Sequence, residues 1–384
     1  MSTTTLLSLL ILLISTTTTT AAAITTLSSD IAALKAIKSS IKPTTIPSYT
    51  CLYSWDFTSD PCSPPHVTHF LCGLSCSGNR VTQLTFDPAG YVGTLSPLVS
   101  KLTQLITIDL SDNKFSGAIP NSLFFLPNLQ TLILGSNSFS GVIPPSISNL
   151  RSIQTLDISR NSLSGSLPNT LASLTELTRL DLSFNKLTGP ITKLPKNIIQ
   201  LALKGNSLNG YLQKQSFTEL TQLEVVELSE NSLTGTIPGW FFLIPSLQQV
   251  NLAHNSFTGV EILKPINSNL IAVDLGFNRI VGYPPANFSA YPMLASLTLS
   301  YNKFRGRIPW EYSKKTTLNR LFLDGNYLIG LPAKEFFSGK TSISGSFGDN
   351  CLKSCPVSSE LCLKSQKPWS ICQQAYRGKL KPKS

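Results

Sequence analysis

Asparagine recurs along this chain at a nearly fixed interval, and that interval restricts the possible folds more than any other feature. Asn113, Asn137, Asn161, Asn185, Asn206, Asn231, Asn255, Asn278, Asn302 and Asn326 are separated by 24, 24, 24, 21, 25, 24, 23, 24 and 24 residues. One more step back lands on Ala89, so the first unit lacks the amide. Four residues after each position stands glycine: Gly93, Gly117, Gly141, Gly165, Gly189, Gly210, Gly235, Gly259, Gly282, Gly306 and Gly330. Apolar residues keep the same register. Five before come Leu84, Ile108, Leu132, Leu156, Leu180, Leu201, Val226, Val250, Val273, Leu297 and Leu321; three before come Phe or, mostly, Leu and Ile. A spacing of two puts both side chains on one side of a short strand. One strand cannot bury that side alone, whereas stacked units share a continuous core.

An asparagine inside an apolar register is costly unless its amide is hydrogen-bonded. After each strand the backbone turns, and its N–H and C=O groups need new partners. Stacked asparagines are expected to supply them, which makes this column scaffold. The glycine permits a conformation or a close approach that a Cβ would forbid. The "GxIP" stretches after it read as extended backbone on a flank; Glu261 interrupts that pattern. A period near 24 with L-x-x-L-x-L-x-x-N is the leucine-rich repeat signature. The expected architecture is an α/β repeat solenoid: a horseshoe with a parallel inner sheet, about eleven repeats over residues 81–345, and a disulfide-linked cap at each end.

The ends read differently. Residues 1–23 combine an apolar run, Leu6–Ile14, with small residues up to Ala23, the pattern of a secretory signal. Residues 24–80 form an expected cysteine cap with Cys51, Cys62, Cys72 and Cys76; residues 346–384 form a second with Cys351, Cys355, Cys362 and Cys372, ending in a basic tail. An open-ended solenoid needs caps, and small caps gain from disulfides in an oxidising compartment. Pairing within each cap is expected, with the connectivity open. Cys62, His66, His69, Cys72 and Cys76 are also dense enough for zinc, but the extracellular context favours disulfides. Residues 29–41, "SDIAALKAIKSSI", predict a helix capped by Ser29, with Ile31, Leu34, Ile37 and Ile41 near one face and Trp55 packed nearby.

"LTRLDLSFNKLTGPI" and "LEVVELSENSLTGTIP" resemble the plant extracellular leucine-rich repeats of receptor-like proteins, receptor-kinase ectodomains and polygalacturonase inhibitors. "SDIAALKAIKSSI" followed by "SWDFTSDPC" resembles their N-terminal cap. The resemblance covers roughly residues 27–350. It implies a recognition module in plant defence or surface signalling; with only three histidines, no glycine-rich phosphate loop and inner aspartates on a solvated face, neither enzymatic activity nor a cofactor is expected. The chain departs from the family at "SPPHVTHFLCGLSC" and in its longer C-terminal block. Neither a membrane-spanning stretch nor a kinase domain is legible, so signalling would require a partner.

The inner face is where a partner would dock. The column four before each Asn carries Asp109, Asp157, Asp181, Glu227 and Asp274, either a slot for a cationic peptide or the habitual spelling of the repeat. Arg160, Arg179 and Phe184 form one candidate contact group; Phe277, Tyr301, Arg320 and Phe322 form a second. Arg, Tyr and Phe are residue types that anchor interfaces. The net charge is +11, and residues 351–384 hold seven of the Lys and Arg against one acid, Glu360. That tail suits anionic wall polysaccharide or lipid headgroups. Nucleic acid is not an expected partner for a secreted chain. Asn287-Phe288-Ser289 is a glycosylation sequon.

The expected protein is therefore secreted to the apoplast or wall, peripheral to the plasma membrane at most. It would bind a peptide or protein in surface signalling or defence, beside a membrane receptor kinase. Two other roles fit the same residues: inhibition of a secreted polysaccharide-degrading enzyme, and a structural wall protein held by its tail.

Overall fold

The structure, a computed structural model, describes residues 25–62, 73–338, 343–353, 355 and 359–377. The expected leader, His66, His69, Cys72 and the tail beyond Arg377 lie outside the described residues, as does the side chain of Cys51.

Thirteen short strands form the inner sheet, all parallel except the first, Leu74–Ser77, which pairs antiparallel with Arg80–Thr85. Among the parallel strands the register never slips: Leu84 pairs with Ile108, Ile108 with Leu132, and so on to Leu297 with Leu321 and Leu321 with Gly345. These residues lie inside the stack, and most of those three before each Asn, such as Leu110, Leu299 and Leu323, are fully buried. A one-residue slip would turn both columns outward, so burial fixes the pairing.

The asparagines bond from coil to coil. Asn302 Nδ2 donates to the carbonyl of Leu275 in the preceding coil at 2.9 Å and to Leu299 and Ser300 in its own at 3.2 Å. Its Oδ1 accepts from Ile280 N at 3.0 Å. The same set of bonds surrounds Asn137, Asn185, Asn255 and Asn326. The series has one member more, 24 residues beyond Asn326. Asn350, fully buried, donates to Leu323 O and accepts from Leu328 N. Gly345 stands there in place of the usual leucine, which hid the unit.

The glycine stretches form the flank. An eight-stranded parallel sheet runs from Val92–Gly93 to Ser256–Val260, and a four-stranded one from Val281–Gly282 to Cys351–Leu352. At Gly141 and Gly165 φ is +86° and +79°, and the side chain following the previous coil's glycine lies directly above. A Cβ at Gly165 would sit 3.0 Å from Val142 Cγ1, so both conformation and space select glycine there. The break between the two flank sheets falls at the irregular stretch marked by Glu261. That coil has no helical turn between Val260 and Ala272, and its Leu263 side chain instead covers Gly239.

The outer side carries mostly 3₁₀ turns such as Pro145–Asn149 and Ala286–Ala290, with single α-turns at Lys214–Phe217 and Glu311–Lys314. A coil of 24 residues leaves no length for a full helix.

Both caps seal the stack. The N-terminal helix spans Ser28–Ser39 and buries Ala33, Leu34 and Ile37. It begins one residue before the expected Ser29 cap. Leu27 holds the cap position without a side-chain bond, and Ser29 Oγ turns to Asp30 instead. Asp30, fully buried, pairs with Arg80 at 3.0 Å and accepts from Val81 N. Trp55 is buried edge-on to Phe86. Disulfides join Cys62 to Cys76, Cys351 to Cys372, and Cys355 to Cys362. The first of these bonds removes both sulfurs from any zinc set. Lys364 and Lys367 tie the last cap to Asp324 at 2.6 Å and Asp349 at 2.8 Å. Among the described residues no helix is long and apolar enough to cross a membrane.

Candidate functional site

Side chains six and four before each asparagine point out of the inner sheet, so stacked coils make columns on the concave face. The acidic column is less free than its spelling suggests. Asp109, Asp157, Asp181 and Asp274 each accept the backbone N–H two residues on, at 2.8–3.0 Å. One carboxylate oxygen of each aspartate therefore holds the turn that ends its strand. Glu227 is longer and makes no such bond.

Towards the C-terminal half the face deepens into a hollow of about 270 Å³ lined by Glu227, Asn251, Asp274, Thr298, Arg320 and Phe322, with Gln249 and Ser296 beside them. Register explains the grouping. Glu227, Asn251, Asp274, Thr298 and Phe322 are consecutive cross-strand neighbours, and Arg320 is two residues before Phe322 on the same side. Burial raises the carboxyl pKa of Glu227, opposed by a hydrogen bond from Asn251 and the charge of Lys204. Burial also raises that of Asp274, opposed by the Gly276 N–H and by His254. Arg320 is exposed and Phe322 half-buried. The hollow thus offers two partly desolvated carboxyls, a guanidinium one strand beyond Thr298, and an aromatic face between them and the end of the sheet.

The residue just before each asparagine has a left-handed backbone, whatever its type. Asp112, Ser136, Arg160, Phe184, Glu230, His254, Phe277 and Tyr301 have φ between 50° and 56°, and Gly205 and Gly325 occupy the same place. Non-glycine residues seldom hold this conformation. Here each N–H is fixed by the next coil, as when Phe277 N donates to Ser300 O at 2.9 Å, so the stack imposes it. The side chains form a rim. His254, Phe277 and Tyr301 stack face to face with centroids 4.2 and 4.4 Å apart. Lys364 closes the stack with a bond to Tyr301 Oη at 3.0 Å. The Arg160 guanidinium lies 4.5 Å from the Phe184 ring centre, and Lys204, 5.4 Å from the same ring, pairs with Glu230.

The structure thus divides the sequence-derived groups. Arg160 meets Phe184, whereas Arg179 stands exposed on the concave face in the adjoining column. Phe277 and Tyr301 belong to the rim; Arg320 and Phe322 belong to the hollow. Phe184 and Tyr301 also pack sideways: their rings cover Gly205 and Gly325, where a Cβ would come within 2.6 and 2.5 Å. Asn251 and Thr298 are legible in the sequence as members of the column four before each asparagine, whereas only the fold stacks His254 on Phe277. Asn287 is half-buried and donates to Ile262 O at 2.8 Å, so the sequon takes part in packing between coils.

Comparison with known proteins places these features. The family profile described as "Leucine rich repeat" matches residues 127–187 and 196–257, and a second of the same description matches 104–126 and 176–201. "Leucine rich repeat N-terminal domain" matches 27–68. Receptor-like protein 49 of Arabidopsis thaliana is 41% identical over 186 residues, 48% of this chain and 22% of that protein. The calmodulin-binding receptor kinase CaMRLK of the same plant is 36% identical over 75 residues, 20% of this chain and 11% of that protein. The matched stretches are thus under a quarter of the length of these curated relatives. Among solved structures, the PEPR1–AtPEP1 complex superposes with a TM-score of 0.75 at 28% identity, over 85% of this chain and 46% of that one. The plant peptide hormone receptor RGFR1 in complex with RGF2 gives 0.65 at 30%, over 72% and 46%. The signature, the ladder and these matches agree: the chain is built of leucine-rich repeats behind an N-terminal cap, similar to those of plant receptor-like proteins and receptor-kinase ectodomains.

Proposed function

We propose that this chain is an extracellular recognition module that binds a peptide along its concave face, in plant cell-surface signalling or defence, without catalysing a reaction. The observation that carries this reading is the hollow around Glu227, Asp274, Arg320 and Phe322. An extended peptide laid across the strands would set a cationic group against the two carboxyls. A carboxylate would face Arg320, and an apolar side chain would rest on Phe322. The likeness to the plant peptide hormone receptor RGFR1 in complex with RGF2 supports a ligand of this class. The disulfides support an oxidising compartment. The partner in signalling that fits this reading is a membrane receptor kinase.

The test is capture of peptides from apoplastic fluid on the purified chain carrying a photo-crosslinker at Ser296, identified by mass spectrometry. Enrichment of an extended peptide, lost in Arg320→Ala/Phe322→Ala, supports the reading. Equal capture by a chain with the crosslinker moved to the outer side, at Ser146, contradicts it.

A further inference from the structure

The flank away from the concave face holds a second cleft, of about 450 Å³, lined by Val281, Gly282, Tyr283, Arg305, Tyr376 and Arg377. It arises where the flank sheet is interrupted. Val281–Gly282 begins the four-stranded sheet as its edge strand. Most flank glycines lie beneath a side chain of the preceding coil, but nothing stands within 4 Å of a Cβ built at Gly282. The irregular coil around Glu261 leaves that space open. The C-terminal cap supplies the opposite wall. Tyr376 Oη accepts from Gly306 N at 2.7 Å and donates to Tyr327 O at 2.8 Å, so its ring is held rigidly against the flank.

The wall chemistry is specific. Tyr283 is 77% exposed, and its ring edge lies over Gly306, where a Cβ would come within 2.4 Å. The Arg305 guanidinium is 5.9 Å from the Tyr376 ring centre. Among the described residues neither Arg305 nor Arg377 has a carboxylate partner; the ion pairs are formed by Arg80 and by lysines. Two guanidiniums without counter-charge among the described residues call for an anion, and Arg presents a planar fork suited to a carboxylate. One anchored and one exposed aromatic side chain over a bare backbone floor call for a flat ring beside that anion. A free inorganic anion would leave the rings unused. A pyranose uronate uses both, its C–H face on a tyrosine and its carboxylate on an arginine. Three of the seven residues after Arg377 are Lys379, Lys381 and Lys383, which favours a repeating anion over a single one.

We infer that this cleft binds an acidic oligosaccharide of uronate units, anchoring the chain to an anionic polysaccharide while the concave face stays free. The inference does not depend on the peptide-binding reading.

The test is calorimetric titration of the full chain with an oligogalacturonide, a neutral glucan oligomer of equal length, inorganic sulfate and a tyrosine-sulfate peptide. The oligogalacturonide is expected to bind saturably, at least tenfold more tightly than the neutral oligomer. Arg305→Gln/Arg377→Gln is expected to weaken it at least tenfold. Tyr283→Ala, at an exposed position that leaves the cap bonds intact, is expected to weaken it several-fold with an unchanged circular dichroism spectrum. Retained affinity in both variants overturns the inference. So does loss of binding only when Lys379, Lys381 and Lys383 are replaced by Gln, or tighter binding of the sulfated peptide or of sulfate.

Discussion

Replacing Asn302 with alanine probes the coil-to-coil ladder at a position only 5% exposed. The substitution strands the Ile280 N–H, bonded to Oδ1 at 3.0 Å. The carbonyls of Leu275, Leu299 and Ser300 lose the Nδ2 donor but each keeps another, from Asn278 Nδ2, Asn326 Nδ2 and Phe277 N. A buried polar group left without a partner costs about 1–3 kcal/mol, and the three weakened carbonyls place the result in the upper half of that range. Aspartate gives a sharper comparison. Asn302→Asp keeps an acceptor for Ile280 but turns a carboxylate oxygen towards three carbonyls, so it should be no better than alanine. Repeat proteins distribute their stability between neighbouring units, so a single unfolding midpoint averages the effect. Hydrogen exchange resolves it. Protection should fall first around Lys303–Gly306 and Val281–Gly282, the flank segments beside the lost amide. A cost under about 1 kcal/mol, or an aspartate variant as stable as the parent, would refute the argument that the ladder satisfies backbone groups unreachable by water.

Four further outcomes follow from the same geometry. Gly325→Ala should cost about 1–3 kcal/mol, because φ is +72° and the Tyr301 ring occupies the Cβ space; an unchanged thermal midpoint would show that the rim stack is loose. Cys351→Ser/Cys372→Ser opens a loop of sequence separation 21 and should cost roughly 3 kcal/mol, with hydrogen exchange rising first in the last coils. Burial raises the carboxyl pKa of Glu227 and Asp274 above the ordinary 4.5 and 3.8, so their folded forms hold protons more tightly than the unfolded chain. Stability then falls as pH rises through the window just above those values, and Glu227→Gln/Asp274→Asn should raise the melting temperature at pH 7 by more than at pH 4. A lower melting temperature at pH 7 would show instead that the two carboxylates are paired. Arg320→Ala/Phe322→Ala should weaken ligand capture while leaving the melting temperature unchanged, since both side chains face the hollow; equal losses would make them scaffold.

The repeat architecture was legible because its determinants are chemical and periodic: Asn for the turn, Leu for the core, Gly beneath the neighbouring side chain. The left-handed rim position was not. Stacking imposes that backbone on Asp112, Arg160, Phe184 and Tyr301 alike, so no residue type marks it, although Gly205 and Gly325 were a faint sign. The acidic column was legible as a column but not in its role, because the bonds of Asp109 and Asp157 to their own turns depend on the backbone after the strand. The flank cleft was hidden for a different reason. Tyr376 meets Gly306 across a separation of 70 residues, and only the folded cap brings them together.

The concave face is the centre of the account, and cross-linking with hydrogen exchange on the ligand-bound chain tests it most directly. Bound peptide should protect Val225–Glu227, Gln249–Asn251, Ala272–Asp274, Ser296–Thr298 and Arg320–Phe322, with cross-links at Ser296. Protection confined to the flank strands or the outer turns, with the inner strands exchanging as in the free chain, would contradict it.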